Sequence, residues 1–123
     1  GRERPMHIPE AIRTVSWTGP RPAKARPRVT AREGGNTAWD ILECRHFRVE
    51  QLDLAGPFRG SNDGRSFHAF FVAGGTARIS ACSQRIKAGP GVSCLMPAAV
   101  GSYTLSPCSV RTRVVRISLG RPG

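Results

Sequence analysis

The sequence contains no apolar run long enough to cross a membrane as a helix. Such a span needs about 20 consecutive apolar residues, and the apolar stretches of this chain are far shorter. The N-terminal region also lacks the basic and then apolar pattern of an export signal, because His7, Pro9 and Glu10 follow closely after Met6. These absences predict a soluble protein of the cytoplasm.

The motifs of several common enzyme classes are missing as well. The chain has no glycine-rich nucleotide-binding loop, no His-Glu-x-x-His and no Gly-x-Ser-x-Gly. Its four cysteines are too far apart for a paired Cys-x-x-Cys zinc site. Two disulfides are arithmetically possible, but each cysteine lies in or beside an apolar segment, where a free thiol acts as a small hydrophobic group. We therefore expect reduced cysteines at all four positions, which are Cys44, Cys82, Cys94 and Cys108.

Acidic residues and lysines are scarce, whereas arginine is abundant. The chain has 8 acidic and 19 basic residues, and its net charge is +11. A charge of this size is typical of proteins that neutralise nucleic-acid phosphates. However, the arginines are scattered and are not interleaved with the aromatic residues on which bases would stack. A nucleic-acid module is therefore the least favoured of three function classes.

The first 38 residues have the composition of a connecting segment. Residues 1–35 contain five of the ten prolines. One short helix is predicted there, because Ile8, Ile12 and Val15 fall on one helical face and Pro9 suits a first turn. This apolar stripe should dock on another surface, and residues 19–27 should form an extended strap. We accordingly divide the chain into a helix and strap, a folded domain and a tail, at residues 1–38, 39–119 and 120–123.

From Trp39 onward, short apolar segments alternate with turns. Residues 64–79 predict a buried strand that turns back as a hairpin at Gly74 and Gly75. The phase of the apolar alternation slips near Gln51, which predicts a bulge or a bend there, and residues 56–64 predict a loop. Other strands are expected at residues 41–47, 47–54, 84–89, 92–96, 102–105 and 110–119. Seven or eight short strands in one domain predict an all-β jelly roll.

Three segments, in this order, resemble one known family. Residues 42–50 read Leu-Glu-Cys-Arg-His-Phe-Arg-Val-Glu, residues 63–68 read Asp-Gly-Arg-Ser-Phe-His, and residues 97–103 read Pro-Ala-Ala-Val-Gly-Ser-Tyr. They resemble the C-terminal cupin half of bacterial type I mannose-6-phosphate isomerases. Residues 4–12 also resemble the segment that joins the two halves of that family.

This resemblance implies a zinc enzyme that interconverts mannose 6-phosphate and fructose 6-phosphate. It also implies that the zinc ligands belong to the N-terminal cupin half, which is upstream of this segment in the family. The chain would then have a structural or cleft-wall role and no catalytic residue, substrate-binding residue or metal ligand that we can assign. Its expected partner is that N-terminal half, covalently joined or separate, and a sugar phosphate is a possible ligand.

His68 is the one candidate metal ligand at a cupin position. A metal-binding cupin strand presents His-x-His and then a glutamate, and a second motif adds a further histidine. Here Ser66 takes the paired position, Val72 or Ala73 the glutamate position, and Ser102 the second-motif position. One imidazole cannot hold zinc, so we predict that His68 faces the core or anchors a loop. His7 and His46 lie in other segments and do not complete the set.

The remaining candidates for chemistry are weaker. Glu43 and Glu50 are expected to point outward into solvent, and Ser66 with His68 lacks a third residue that would orient the imidazole. Arg59 and Arg65 flank the 56–64 loop and could contact a sugar phosphate, although solvated loop arginines are the expected case. Three functions stay open: an isomerase domain, a free-standing metal-free cupin that binds a small ligand, and a basic nucleic-acid module.

Overall fold

The computed structural model describes residues 4–15 and 26–121, and most of these residues lie in β-strands. The described residues form a short helix, ten strands and a 3-10 turn at Ala98–Val100. In chain order the elements are α1 (Ile8–Thr14), β1 (Arg28–Glu33), β2 (Asn36–Glu43), β3 (Phe47–Leu54), β4 (Phe58–Ser61), β5 (His68–Gly74), β6 (Ala77–Ala81), β7 (Gln84–Ala88), β8 (Ser93–Met96), β9 (Ser102–Pro107) and β10 (Thr112–Leu119).

The strands form two antiparallel sheets. The larger sheet has the order β1-β2-β3-β10-β5-β8, and the smaller sheet has the order β4-β9-β6-β7. The buried side chains of both sheets form one common core, as in a β-sandwich. The prediction of an all-β jelly roll is therefore confirmed. None of the helices in the described ranges combines the length and the apolar character that crossing a membrane requires.

The core is built from residues that alternate along the strands. Leu52 on β3, Phe70 on β5 and Val114 on β10 are almost fully buried, and Leu105 on β9 meets them from the smaller sheet. Because successive strand residues point to opposite faces, each of these strands contributes every second side chain to the core. Burial of one such side chain stabilises the fold by about 1.5–3 kcal/mol.

The predicted hairpin between β5 and β6 is wrong. Strand β5 pairs with β10 and β8 in the larger sheet, whereas β6 pairs with β7 and β9 in the smaller one. The Gly74–Gly75 pair carries the chain from one sheet to the other. Gly75 has φ +68°, and a Cβ atom there would lie 2.7 Å from Thr112 Cα, so the crossing requires glycine. The apolar pattern identified two strands but could not assign them to different sheets.

The predicted bulge near Gln51 is also misplaced. All of β3 pairs with β10 without a register shift, and the irregularity lies in β2 between Asp40 and Leu42. Glu50 shares the inner face of β3 with Leu52, while Val49 lies on the outer face. Because the inner residue Glu50 is acidic, the apolar alternation of β3 is interrupted in the sequence, although the strand is regular.

The N-terminal prediction holds in part. Helix α1 is confirmed at Ile8–Thr14, and none of its residues is buried. Strand β1 and the first part of β2 lie within the 1–38 segment that composition predicted as helix and strap, and β4 lies within the predicted 56–64 loop. Most of the expected strap, residues 19–25, and residues 122–123 of the expected tail lie outside the described residues.

Candidate functional site

A group of polar side chains lies at one end of the sandwich interior. Each member lies two residues along its strand from a buried apolar residue, so it points to the same inner face. Glu50 precedes Leu52 on β3, and the register of β3 with β10 places Glu50 directly opposite Arg116. The other two members are His68 on β5 and Tyr103 on β9.

These four side chains are joined by hydrogen bonds. Arg116 Nε donates to Glu50 Oε2 over 2.8 Å, and Arg116 Nη1 donates to the Tyr103 hydroxyl over 2.9 Å. The Tyr103 hydroxyl lies 3.0 Å from His68 Nδ1. Glu50 is only 4% exposed and Tyr103 only 3%. The guanidinium of Arg116 also lies over the ring of Phe58, 5.4 Å from its centroid, and is therefore held on several sides.

The geometry assigns the hydrogen atoms of the Tyr103–His68 contact. Because Arg116 donates to the Tyr103 oxygen, the tyrosine's own hydrogen needs an acceptor, and among the described residues only His68 Nδ1 is within reach. A buried hydroxyl hydrogen without an acceptor would be costly. His68 Nδ1 is therefore the acceptor, and the hydrogen of the neutral imidazole is on Nε2.

The ionic part of the group continues toward β2. Arg48 Nη2 lies 3.3 Å from Glu50 Oε1, and Arg48 Nε donates to Asp40 Oδ1 over 2.7 Å. Asp40 Oδ2 in turn lies 3.6 Å from Arg28 Nη2. Both carboxylates are thus shared between two arginines, and this compensates for the cost of burying their charge.

The environment shifts three pKa values in the group. Burial lowers the pKa of His68, the charge of Arg116 lowers it further, and Glu50 and Asp63 act weakly in the opposite direction. Burial raises the pKa of Tyr103, against the effect of Arg116. Burial by itself would lower the pKa of Arg116, but its contacts with Glu50 and Tyr103 raise it overall. At neutral pH, Arg116 is therefore charged while Tyr103 and His68 are neutral.

A cavity of about 200 Å³ opens above this group at the mouth of the sandwich. We call it the mouth cavity. Its walls come from β3, β4, β5 and β10 and from the loop before β5, and they are mostly polar. The lining residues are Arg48, Glu50, Ser61, Asp63, Arg65, Ser66, His68, Arg116, Ser118 and Leu119.

Comparison with known families decides the classification. The family described as mannose-6-phosphate isomerase, cupin domain, matches residues 38–117. The chain belongs to this family. No curated protein matches the sequence.

Solved structures agree on the fold. Mannose 6-phosphate isomerase from Bacillus subtilis superposes with a TM-score of 0.68 at 16% identity, over 94% of this chain and 35% of the isomerase. A mutant of phosphomannose isomerase from Salmonella typhimurium superposes with a TM-score of 0.63 at 22% sequence identity. This match covers 98% of this chain and 30% of the Salmonella chain. KdgF from Halomonas superposes with a TM-score of 0.66 at 11% sequence identity, and this match covers 76% of this chain and 88% of the KdgF chain. The chain thus spans about a third of the length of these two isomerases.

The residues of the mouth cavity do not fit the zinc that the family implies. Zinc sites in proteins need several histidine, cysteine or carboxylate ligands around one point. Across residues 4–15 and 26–121, no three such side chains lie close enough to share a metal. The neighbours of His68 are instead Tyr103 and the cation Arg116. A fixed guanidinium beside the single imidazole repels a divalent cation.

The residues at the four cupin ligand positions lie in different parts of the structure. Ser66 and His68 line the mouth cavity, whereas Val72 is buried in the core and Ser102 is exposed at the start of β9. His68 therefore faces the interior, as predicted. Ala73, the other glutamate position, points outward.

The prediction that Glu50 points into solvent is wrong. Its position on the same face as Leu52 and Leu54 makes it an inner residue, and Arg48 and Arg116 supply the charges that allow its burial. Glu43 is more exposed, and its carboxylate lies 3.6 Å from Arg121 Nε.

Three further members of the group were missed by the sequence analysis. These are Arg48, Tyr103 and Arg116, which were not singled out as candidates. A signal for two of them was present, because Tyr103 precedes the apolar Leu105 and Arg116 follows Val114 at a spacing of two.

The other candidates lie at the surface. Arg59 and Arg65 are exposed, as expected, but only Arg65 lines the mouth cavity. His7 and His46 are also exposed. The four cysteines are free thiols: Cys44 and Cys94 are half-buried, whereas Cys82 and Cys108 are exposed. The interpretation as small hydrophobic groups therefore suits only the half-buried pair.

Proposed function

We propose that this chain is the metal-free cupin half of a mannose-6-phosphate isomerase. In this proposal it forms a structural part or one wall of the substrate cleft, and the zinc is bound by a second cupin half. The observation that carries the proposal is that a member of the isomerase cupin family holds the Arg116–Glu50 ion pair inside its sandwich. Such a role implies a place in cytoplasmic carbohydrate metabolism.

The extent of the structural matches is compatible with this division of roles. It spans 35% of the Bacillus subtilis isomerase and 30% of the Salmonella protein, so most of either protein has no counterpart here. In the proposal, a metal-bearing half supplies that part, either on the same polypeptide or as a separate chain.

The outer face of the larger sheet gives this partner a place to pack. The registers place five apolar residues in one row across five neighbouring strands. Three of them are well exposed, with Leu95 at 69%, Leu42 at 45% and Ile117 at 40%. The full row is Leu42, Val49, Ile117, Ala69 and Leu95. We call it the apolar row.

Permanent interfaces resemble a domain core cut in half and are rich in such residues. Ile8 at the start of helix α1 and Val15 directly after its end add to this surface, and they are 54% and 49% exposed. We propose that the metal-bearing half covers the apolar row together with the apolar stripe of α1.

The first test measures metal and activity. We expect the purified chain to hold no stoichiometric zinc and to form no fructose 6-phosphate from mannose 6-phosphate, even with zinc added. Co-expression with a metal-bearing cupin half of the family should give a complex with activity. One tightly held ion per chain, or turnover by the chain alone well above background, would refute the division of roles.

A second test uses a matched pair of surface variants. Leu95→Asp places a charge in the apolar row, and Ile86→Asp places one on β7 of the smaller sheet, where Ile86 is 49% exposed. We expect Leu95→Asp to weaken association with the metal-bearing half and Ile86→Asp to leave it unchanged. Equal effects of the two variants would show that the apolar row is not the interface.

A further inference from the structure

The two carboxylates of the mouth cavity are already engaged. Glu50 Oε1 faces Arg48 Nη2 at 3.3 Å, and its Oε2 accepts from Arg116 Nε over 2.8 Å. Asp63 Oδ1 accepts the backbone N–H of Arg65 over 3.0 Å, and its Oδ2 lies 3.8 Å from Arg65 Nη1. The two carboxylates that line the cavity are therefore paired with arginine.

Several donors of the same cavity have no partner in the described part of the chain. Arg116 uses Nε and Nη1, which leaves Nη2, and Arg48 uses Nε and Nη2, which leaves Nη1. His68 carries its hydrogen on Nε2, because Nδ1 accepts from Tyr103. The hydroxyl groups on the cavity wall are those of Ser61, Ser66 and Ser118.

The net charge of the mouth cavity is positive, so it also favours an anionic ligand. Arg48, Arg65 and Arg116 line it with three positive charges, and Glu50 and Asp63 contribute two negative ones, which leaves one positive charge. The whole chain carries a net charge of +11, so the surrounding field also attracts anions. A ligand that complements these walls brings hydrogen-bond acceptors and negative charge.

The size of the cavity limits the ligand. Drug-sized ligands occupy pockets of about 300–1,000 Å³, and the mouth cavity has about 200 Å³. This volume suits an oxyanion with a short carbon chain. Arg65 is half exposed at the rim, while Arg116 and Arg48 are largely buried and fixed by their carboxylates.

We propose that the mouth cavity is a metal-free binding site for a small oxyanion, a phosphate monoester or a carboxylate, held by Arg65 at the rim and by Arg116 Nη2, Arg48 Nη1 and His68 Nε2 inside. This site does not depend on the isomerase proposal, because it requires neither zinc nor a partner chain. Arginine is well suited to the task, since its planar fork matches the geometry of both anions.

Calorimetric titration of the 123-residue chain at low salt tests the site. The probes are inorganic phosphate, mannose 6-phosphate, malonate and, as the uncharged control, mannose. We expect saturable binding of the three anions at one site per chain and none of mannose. Tighter binding of the two phosphates would assign a phosphate ligand, and tighter binding of malonate would assign a carboxylate ligand.

Two exposed arginines provide a matched pair of variants. Arg65→Ala removes the rim cation, whereas Arg85→Ala removes an equal charge from β7, outside the mouth cavity. Because a charge-assisted hydrogen bond is among the stronger polar contacts, we expect Arg65→Ala to weaken anion binding by about tenfold or more. Arg85→Ala should leave the affinity within about twofold.

A second readout locates the ligand without a variant. The imidazole nitrogen signals of His68, followed by NMR, should shift on titration with the tightest anion and should not shift with mannose. Three results would overturn the proposal: no saturable binding of any anion, equal weakening by Arg65→Ala and Arg85→Ala, or anion binding that leaves the His68 signals unchanged.

Discussion

The interior of this sandwich has two unlike ends built on the same strands. At one end, which we call the apolar end, Leu52 on β3 lies opposite Val114 on β10, and both are almost fully buried. Two residues further toward the mouth, the same register places Glu50 opposite Arg116. A step of two residues along each strand, about 7 Å, therefore separates an apolar core from an ion pair.

The two ends differ in what they contribute. Burial of side chains at the apolar end stabilises the folded state directly. At the mouth, the cost of removing Glu50 and Arg116 from water offsets much of their attraction, so the pair adds little net stability. What it adds is a fixed arrangement of donors around the mouth cavity. The comparison indicates that the apolar end maintains the fold and the mouth end is available for binding.

The largest effect is expected from truncation of a large buried apolar side chain. Phe70→Ala should lower the free energy of unfolding by about 3–5 kcal/mol, because Phe70 is 1% exposed and a cavity would remain. Phe71, its neighbour on the same strand, is 40% exposed, so Phe71→Ala should cost far less. Urea denaturation of both variants measures the difference. Equal losses would contradict the strand assignment of β5.

A somewhat smaller loss is expected at the mouth. Glu50→Leu should destabilise the chain by about 3 kcal/mol, because it leaves Arg116 largely buried without its carboxylate. Adding Arg116→Met should restore most of the loss, since an apolar pair of similar volume can replace a buried ion pair. Denaturant unfolding of the single and double variants tests this coupling. A double variant no more stable than Glu50→Leu would mean that the mouth end stabilises the fold as the apolar end does.

Removal of one hydroxyl should have a more modest effect. Tyr103→Phe keeps the ring that packs on Phe70 but deprives Arg116 Nη1 and His68 Nδ1 of their shared partner. We expect a loss of about 1–2 kcal/mol in thermal or urea unfolding. Leu105→Ala, one step further into the core on the same strand, is the apolar comparison and should cost more. A larger loss from Tyr103→Phe would reverse the ranking of the two ends.

The smallest effect is expected from pH. Burial, followed by the charge of Arg116, lowers the pKa of His68 in the folded chain. Between that lowered pKa and the unfolded value of about 6.5, the unfolded chain binds more protons, so stability falls as the pH drops below about 6.5. Unfolding measured from pH 7.5 to 5.5 should show this decline, and His68→Gln should reduce it. An unchanged slope in His68→Gln would show that other groups cause the decline.

The sequence predicted the parts of the fold that depend on local alternation. Most strands and the jelly-roll class followed from the spacing of apolar residues and turns, and helix α1 followed from Ile8, Ile12 and Val15. The assignment of β5 and β6 to different sheets did not, because a Gly-Gly pair permits a hairpin and a crossing equally well. The local pattern of apolar residues does not show which distant segments pair as strands.

The candidate site was less accessible to sequence analysis, for an electrostatic reason. A glutamate is expected in water unless a partner neutralises it, and one of the two arginines that neutralise Glu50 is Arg116, 66 residues further along the chain. The same difficulty applies to Tyr103, whose hydroxyl contacts His68 across a separation of 35 residues. His68 was recognised because its local motif resembles a cupin strand, whereas the ion pair has no local motif.

The position of β10 bears on how the protein folds during its synthesis. This strand lies between β3 and β5, and it is the only link between them within the larger sheet. Until the ribosome has released residues 112–119, β3 and β5 each have an unpaired edge, and Leu52 and Phe70 have no strand between them. Nascent chains in this condition are prone to pair with one another. Assembly of the larger sheet should therefore be a late step of folding, completed only when β10 is available.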